Sequence, residues 1–165
     1  MKTLILVTIL ALMTIFLSVP VMAQDPVRFG AAGVGYFAGA TPNIQGWAAL
    51  GIPITSDNKA ISYTSMDVSV VKVATGGPTV AGLNLQYSLH PGMAYRLLKR
   101  GSWSLYGLAA PGFVANGDSI RGSFEYGGVV HKQVSKVFGV MLAFTKQQYG
   151  NDTDFAPRGA VTIKF

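Results

Sequence analysis

Arg158-Gly-Ala-Val-Thr-Ile-Lys-Phe165 alternates between apolar and polar side chains from Val161 onward. Val161, Ile163 and Phe165 share one parity, and Thr162 and Lys164 the other. A strand has period two, so this segment has one apolar and one polar face. The pattern recurs upstream. Leu83, Leu85, Tyr87, Leu89, Met93, Tyr95 and Leu97 oppose Asn84, Gln86, Ser88, His90 and Arg96. Ile120, Phe124, Tyr126 and Val130 oppose Arg121, Ser123, Glu125 and His131, and Phe138, Val140, Leu142 and Phe144 form a further apolar face.

Turn clusters punctuate the chain at Thr41–Asn43, Ser56–Lys59, Gly76–Pro78, Lys99–Gly101, Asn116–Asp118, Gln133–Lys136 and Gly150–Pro157. They predict strands over Val27–Gly39, Ile44–Thr55, Ala60–Ala74, Val80–Leu98, Ser102–Ala115, Ser119–Lys132, Val137–Tyr149 and Arg158–Phe165. Most reach the ~9–11 tilted residues that cross a bilayer. No helical periodicity follows Ala23.

The start of the chain reads as an export signal. Lys2 supplies positive charge, Leu4–Leu17 is an uncharged apolar run, and Val21-Met22-Ala23 offers small residues for cleavage after Pro20. The expected domains are a signal peptide over residues 1–23, cleaved after Ala23, and one β-domain over residues 24–165. The absence of cysteine removes a disulfide framework, a lipoprotein anchor and thiol chemistry. After the signal no apolar run is long enough for a transmembrane helix, so a membrane-spanning chain must close a sheet.

Charged residues make up 12% of the chain, about half the ~25% of soluble domains. That favours a barrel whose apolar faces meet lipid and whose polar faces fill a narrow lumen. Aromatic residues near the strand ends fit interfacial girdles: Tyr36, Phe37, Trp47, Phe113, Tyr126, Tyr149 and Phe155 towards one side, Tyr95, Trp103 and Phe165 towards the other. The net charge of +6 is scattered, with no basic run beyond Lys99-Arg100, and does not suggest nucleic acid.

In strand number, turn rhythm and the closing Val161-x-Ile163-x-Phe165, the chain resembles the small eight-stranded outer-membrane β-barrel superfamily, the OmpA/OmpX and opacity-porin type. The resemblance implies an all-β fold, an eight-stranded antiparallel up-and-down transmembrane barrel after a cleaved N-terminal signal helix. It implies Sec export to the cell outer membrane, contact with outer-membrane lipid and lipopolysaccharide, and a monomer. It also implies that Val161, Ile163 and Phe165 form a signal read by the barrel-assembly machinery. Outer loops would fall at Gly39–Ile44, Thr75–Val80, Ala115–Ser119 and Tyr149–Arg158, with both termini in the periplasm.

Parity places Glu125, Arg96, Arg121, Arg158 and Lys164 on inward faces, while Asp67 and Arg28 lie on strands of ambiguous alternation. Buried charges must pair, which predicts a Glu125-centred lumen network with two or more arginines, either a register-fixing plug or a gate. Catalysis would draw on His90, His131, Ser88, Ser123 and Glu125, but no nucleophile-elbow motif is present, so no catalytic residue and no enzyme is expected. Gly33-Val-Gly35-Tyr-Phe-Ala38 matches a dinucleotide pattern only inside a strand, where packing or curvature explains the glycines; no cofactor is expected. Asn151-Asp-Thr-Asp154 could offer oxygen ligands to Ca²⁺ but reads better as a solvated turn; no metal site is expected. The leading functional expectation is a structural or surface-interacting barrel. A narrow ion or solute channel is the alternative, and a lipid-A-modifying enzyme or a soluble lipocalin-like binder stand behind it. No periplasmic module is expected after Phe165.

Overall fold

A computed structural model describes residues 28–38, 43–73, 82–116 and 119–165. The expected signal segment with its cleavage point at Ala23, and parts or all of three of the expected outer loops (39–42, 74–81 and 117–118), lie outside the described residues. Every regular element among the described residues is a strand: β1 Phe29–Phe37, β2 Asn43–Pro53, β3 Ala60–Val73, β4 Gly82–Arg100, β5 Trp103–Asn116, β6 Ser119–Gln133, β7 Phe138–Tyr149 and β8 Asp152–Lys164. Each pairs antiparallel with its sequence neighbour. β8 returns to β1 through Gly35↔Arg158 to Phe29↔Lys164, and the sheet closes as an up-and-down barrel. Closure leaves no sheet edge.

Side-chain polarity is inverted relative to a soluble barrel. In β7, Phe138, Val140, Leu142 and Phe144 point outward and are exposed, while Met141, Ala143, Thr145 and Gln147 are buried. Val34, Leu85, Met93, Val161 and Ile163 continue the apolar exterior. Exposed Tyr95, Trp103, Phe138 and Phe165 flank one end of it, and Tyr36 and Phe155 the other. Trp47 departs from the girdle expectation: it is 3% exposed and faces the lumen, because it shares parity with Gln45 and Ala49.

The lumen is layered. Ile61, Tyr63, Ala94, Leu108, Val129 and Met141 belong to a buried apolar cluster inside the barrel. The polar lumen expected from the sequence is therefore polar in only part of its height. An eight-stranded interior is just wide enough to be filled by side chains, and apolar packing fills what ion pairs do not.

β8 begins six residues earlier than expected, at Asp152 rather than Arg158. The long outer loop Tyr149–Arg158 is instead a two-residue turn, Gly150-Asn151, between paired Tyr149 and Asp152. Gly150, with φ 61°, supplies the left-handed first position that such hairpins require. Asp154, weighed above as a cation ligand, accepts a hydrogen bond from the Tyr149 hydroxyl across the hairpin. Pro157 did not end the strand. It sits where the β1–β8 ladder is interrupted, between Gly35↔Arg158 and the isolated bridge Ala38↔Phe155, so its missing N–H is not needed.

A second interruption lies inside β4 and β5. Their ladder pairs Leu89↔Phe113 and Met93↔Ala109 with nothing between. That register sets Pro91 opposite Pro111, neither with an N–H to give. On their outer sides both strands stay paired, through Pro91↔Thr64 and Pro111↔Phe124.

One end of the barrel carries the three turns β2–β3, β4–β5 and β6–β7; the other carries the four remaining connections. In the β2–β3 turn, Asp57 accepts from the Thr55 hydroxyl at 2.7 Å and from the Lys59 N–H at 3.0 Å. These bonds hold its carboxyl down at about 2.

Candidate functional site

Arg158 enters the lumen from β8 beside Gly35 of β1, where any Cβ would lie 2.7 Å from the arginine's own Cγ. Its Nε and Nη2 donate to the two oxygens of Asp67 at 2.8 and 2.9 Å, a bidentate pair. Nη1 donates to Glu125 Oε1 and to Thr145 Oγ1. Ser88 Oγ and Gln147 Nε2 donate to Asp67 Oδ2 at 2.8 and 3.1 Å, and Ser65 Oγ donates to Glu125 Oε2 at 2.7 Å. The Trp47 ring lies 5.6 Å from the guanidinium carbon. Asp67, Glu125 and Arg158 are each at most 3% exposed.

The cluster draws on β3, β4, β6, β7 and β8, so it ties together strands that never pair in the sheet. Most carboxylate lone pairs are taken, which is the condition under which a buried ion pair is tolerated at all. One guanidinium nevertheless faces two carboxylates. His90 Nδ1 lies 3.5 Å from Glu125 Oε2.

His90 Nε2 also lies 2.8 Å from Ser123 Oγ. Hydroxyl, imidazole and carboxylate thus stand in the order used by nucleophilic hydrolases. The geometry falls short of that chemistry. The Nδ1 separation exceeds a hydrogen bond, and Nδ1 has no hydrogen-bond partner. The carboxylate therefore does not orient the imidazole.

Of the five lumen residues named from parity, the structure brings together Glu125 and Arg158. Arg96 and Lys164 lie apart, lining a cavity at the three-turn end, where Arg96 Nη2 donates to the Asp57 carbonyl at 2.8 Å. Arg121 has the inward parity but is exposed near the four-loop rim, two residues into β6. The network therefore contains one arginine, not two or more, because the other basic side chains sit near the strand ends. Its second acid, Asp67, was legible only as a possibility, since β3 alternates Ile61, Tyr63, Ser65, Asp67 inward with Ser62, Thr64, Met66, Val68 outward. Val161, Ile163 and Phe165 are exposed on the outer face.

Ions sealed inside, an apolar belt outside and an up-and-down closure of eight strands define the fold of the small outer-membrane β-barrels. The chain is similar in structure to the attachment invasion locus protein Ail of Yersinia pestis, with a TM-score of 0.64 and 12% identity over 86% of this chain and 100% of that one. It is likewise similar to the N-terminal β-barrel domain of Pseudomonas aeruginosa OprF, with a TM-score of 0.61 and 14% identity over 86% and 98%. Neisserial surface protein A follows the same plan, with a TM-score of 0.56 and 14% identity over 85% and 96%. No protein-family model and no curated protein matches the chain.

Proposed function

We propose that the protein is an integral outer-membrane β-barrel with a structural or surface-interacting role and no catalytic activity, exported through the Sec pathway with removal of its signal peptide after Ala23. The observation that carries this reading is the inverted polarity. Glu125 is fully buried while Val34 and Leu142 are 65% and 48% exposed. Burying that exterior in lipid follows from the hydrophobic effect, and closure satisfies nearly all backbone groups internally. The three-turn end faces the periplasm and the four connections face outward toward lipopolysaccharide. The described β7–β8 connection is two residues long, which suits a barrel that works as a wall element more than one that presents long recognition loops. The ion cluster and the apolar layer beside it argue for a closed lumen and against the channel reading.

The outward Val161, Ile163 and Phe165 offer the assembly machinery an apolar strand face, and the inserted protein works as a monomer. Cell fractionation tests the whole reading. The protein is expected in the outer membrane as a band whose gel mobility changes on boiling; a soluble, non-shifting band would overturn it. Phe165→Asp is expected to lower outer-membrane insertion without blocking export, and normal insertion would remove the assembly role.

A further inference from the structure

A cavity of about 390 Å³ opens at the three-turn end of the lumen, within the size range of small-molecule sites. Its rim carries Arg96, Lys99 and Lys164, and its walls include no carboxylate. Among the described residues none of these three cations takes part in an ion pair. Among the described residues, the Asp57 side chain in the β2–β3 turn is committed to Lys59 at 3.2 Å and to Thr55, and Asp57 gives Arg96 only its backbone carbonyl. Phe29 stands opposite Lys164 and Tyr106 opposite Arg96 in the ladders, and the buried part of the lining is apolar and aromatic, through Ile61, Tyr63, Val129 and Met141. His131 and Thr162 mark the change, joined by a 3.0 Å hydrogen bond.

A cleft of one charge sign with low-dielectric walls concentrates counter-ions. Here the charge sits at the mouth and the apolar surface at the floor, so the two demands fall on one molecule. We infer that this cavity binds a small soluble organic anion, an aromatic or branched aliphatic carboxylate or phosphate ester, with its apolar body inward and its anionic group at Arg96 and Lys164. The turns of this end line the mouth, and the deeper walls are inward strand faces shut off from lipid by the closed ladder. That disfavours a lipid headgroup as the occupant. The site is distinct from the ion cluster, from which buried Tyr63 and Met141 help to separate it. Only the side of the membrane to which it opens rests on the orientation proposed above.

The test uses the full-length processed chain in phosphatidylcholine bilayers, its closure verified by the heat-dependent gel shift, with 2-naphthoate as probe in calorimetry against protein-free bilayers. Saturable binding near one site per barrel is expected. Acetate, which lacks the body, and 2-naphthalenemethanol, which lacks the charge, should each bind at least tenfold more weakly. Arg96→Gln combined with Lys164→Gln should raise the Kd at least tenfold while keeping the gel shift. No saturable binding to the wild-type barrel would overturn the inference. So would equal binding of the neutral alcohol, or unchanged affinity in the double variant. Because closure is scored separately, a failure here leaves the outer-membrane reading standing.

Discussion

Two regions of one lumen treat charge in opposite ways. In the ion cluster, a single arginine meets two carboxylates, and serine, threonine and glutamine side chains take most of the remaining hydrogen-bonding positions. In the cavity at the three-turn end, three cations stand at the mouth with no carboxylate among them. Depth accounts for the contrast. A charge that is cut off from water must be matched, whereas one near the rim keeps its hydration and can remain without a partner. Inward parity alone therefore does not make a residue part of a network.

The largest break in that comparison comes from removing the arginine of the sealed level. Arg158→Met leaves Asp67 and Glu125 buried and facing one another, and should cost about 3–5 kcal/mol. The measurement is the urea midpoint of the heat-dependent gel shift. Adding Asp67→Asn and Glu125→Gln should restore most of the loss, since the stranded charges are then gone; no recovery would mean that the cluster acts by shape and not by charge.

Crowding gives the next largest contrast. A Cβ on Gly112 would lie 2.1 Å from the Leu89 carbonyl and 2.9 Å from His90 Cα, so Gly112→Val should cost roughly 1–3 kcal/mol or more. Ala94 lines the open cavity, and Ala94→Val should cost less than Gly112→Val. Equal penalties would contradict the picture of a tight level above a roomy one.

Neutralising the rim should scarcely register in stability. Arg96→Gln with Lys164→Gln is expected to shift the same urea midpoint by less than about 1 kcal/mol, because neither side chain is fully buried. A loss comparable to that of Arg158→Met would show that the rim charges are structural after all.

The smallest effect is set by pH at the β2–β3 turn. Asp57 titrates near 2 in the fold against 3.8 unperturbed, because the Thr55 hydroxyl and the Lys59 N–H favour its ionised form. A lowered folded value contributes stability that is fully present above the unfolded one and is lost as pH falls through about 2. Thermal melts should place Asp57→Asn slightly below wild type at pH 7 and level with it at the acid end. A gap that widens on acidification would reverse the assignment.

Strand number, closure and the faces of β4, β6, β7 and β8 were legible because their outward positions are consistently apolar and many inward positions polar. β3 was not, since it buries Ile61 and Tyr63 and turns half-buried Ser62 and Thr64 outward. Along that strand both faces are mixed, and Asp67 could not be assigned. The early start of β8 was hidden by Gly150, Asn151, Asp152, Asp154 and Pro157, all turn-forming types. Two of them make the turn, and the others are tolerated because the hairpin supplies a partner for Asp154 and the ladder a gap for Pro157. Within the candidate site, parity found Glu125 and Arg158. It could not say that Arg96, Arg121 and Lys164 lie at other heights, because period two reports the face and not the depth.

The facing prolines of β4 and β5 matter in time as well as in space. A hairpin that zips from Gly101-Ser102 can close, past a register shift between Leu98 and Arg96, as far as Met93↔Ala109, and there it meets a step at which neither strand can donate. The pairs beyond, from Leu89↔Phe113 to Gln86↔Asn116, gain nothing from simple continuation. Their register must be supplied by β3 on one flank and β6 on the other. The far half of this hairpin is therefore set by its neighbours, and its alignment should be completed late, after both of those strands have arrived.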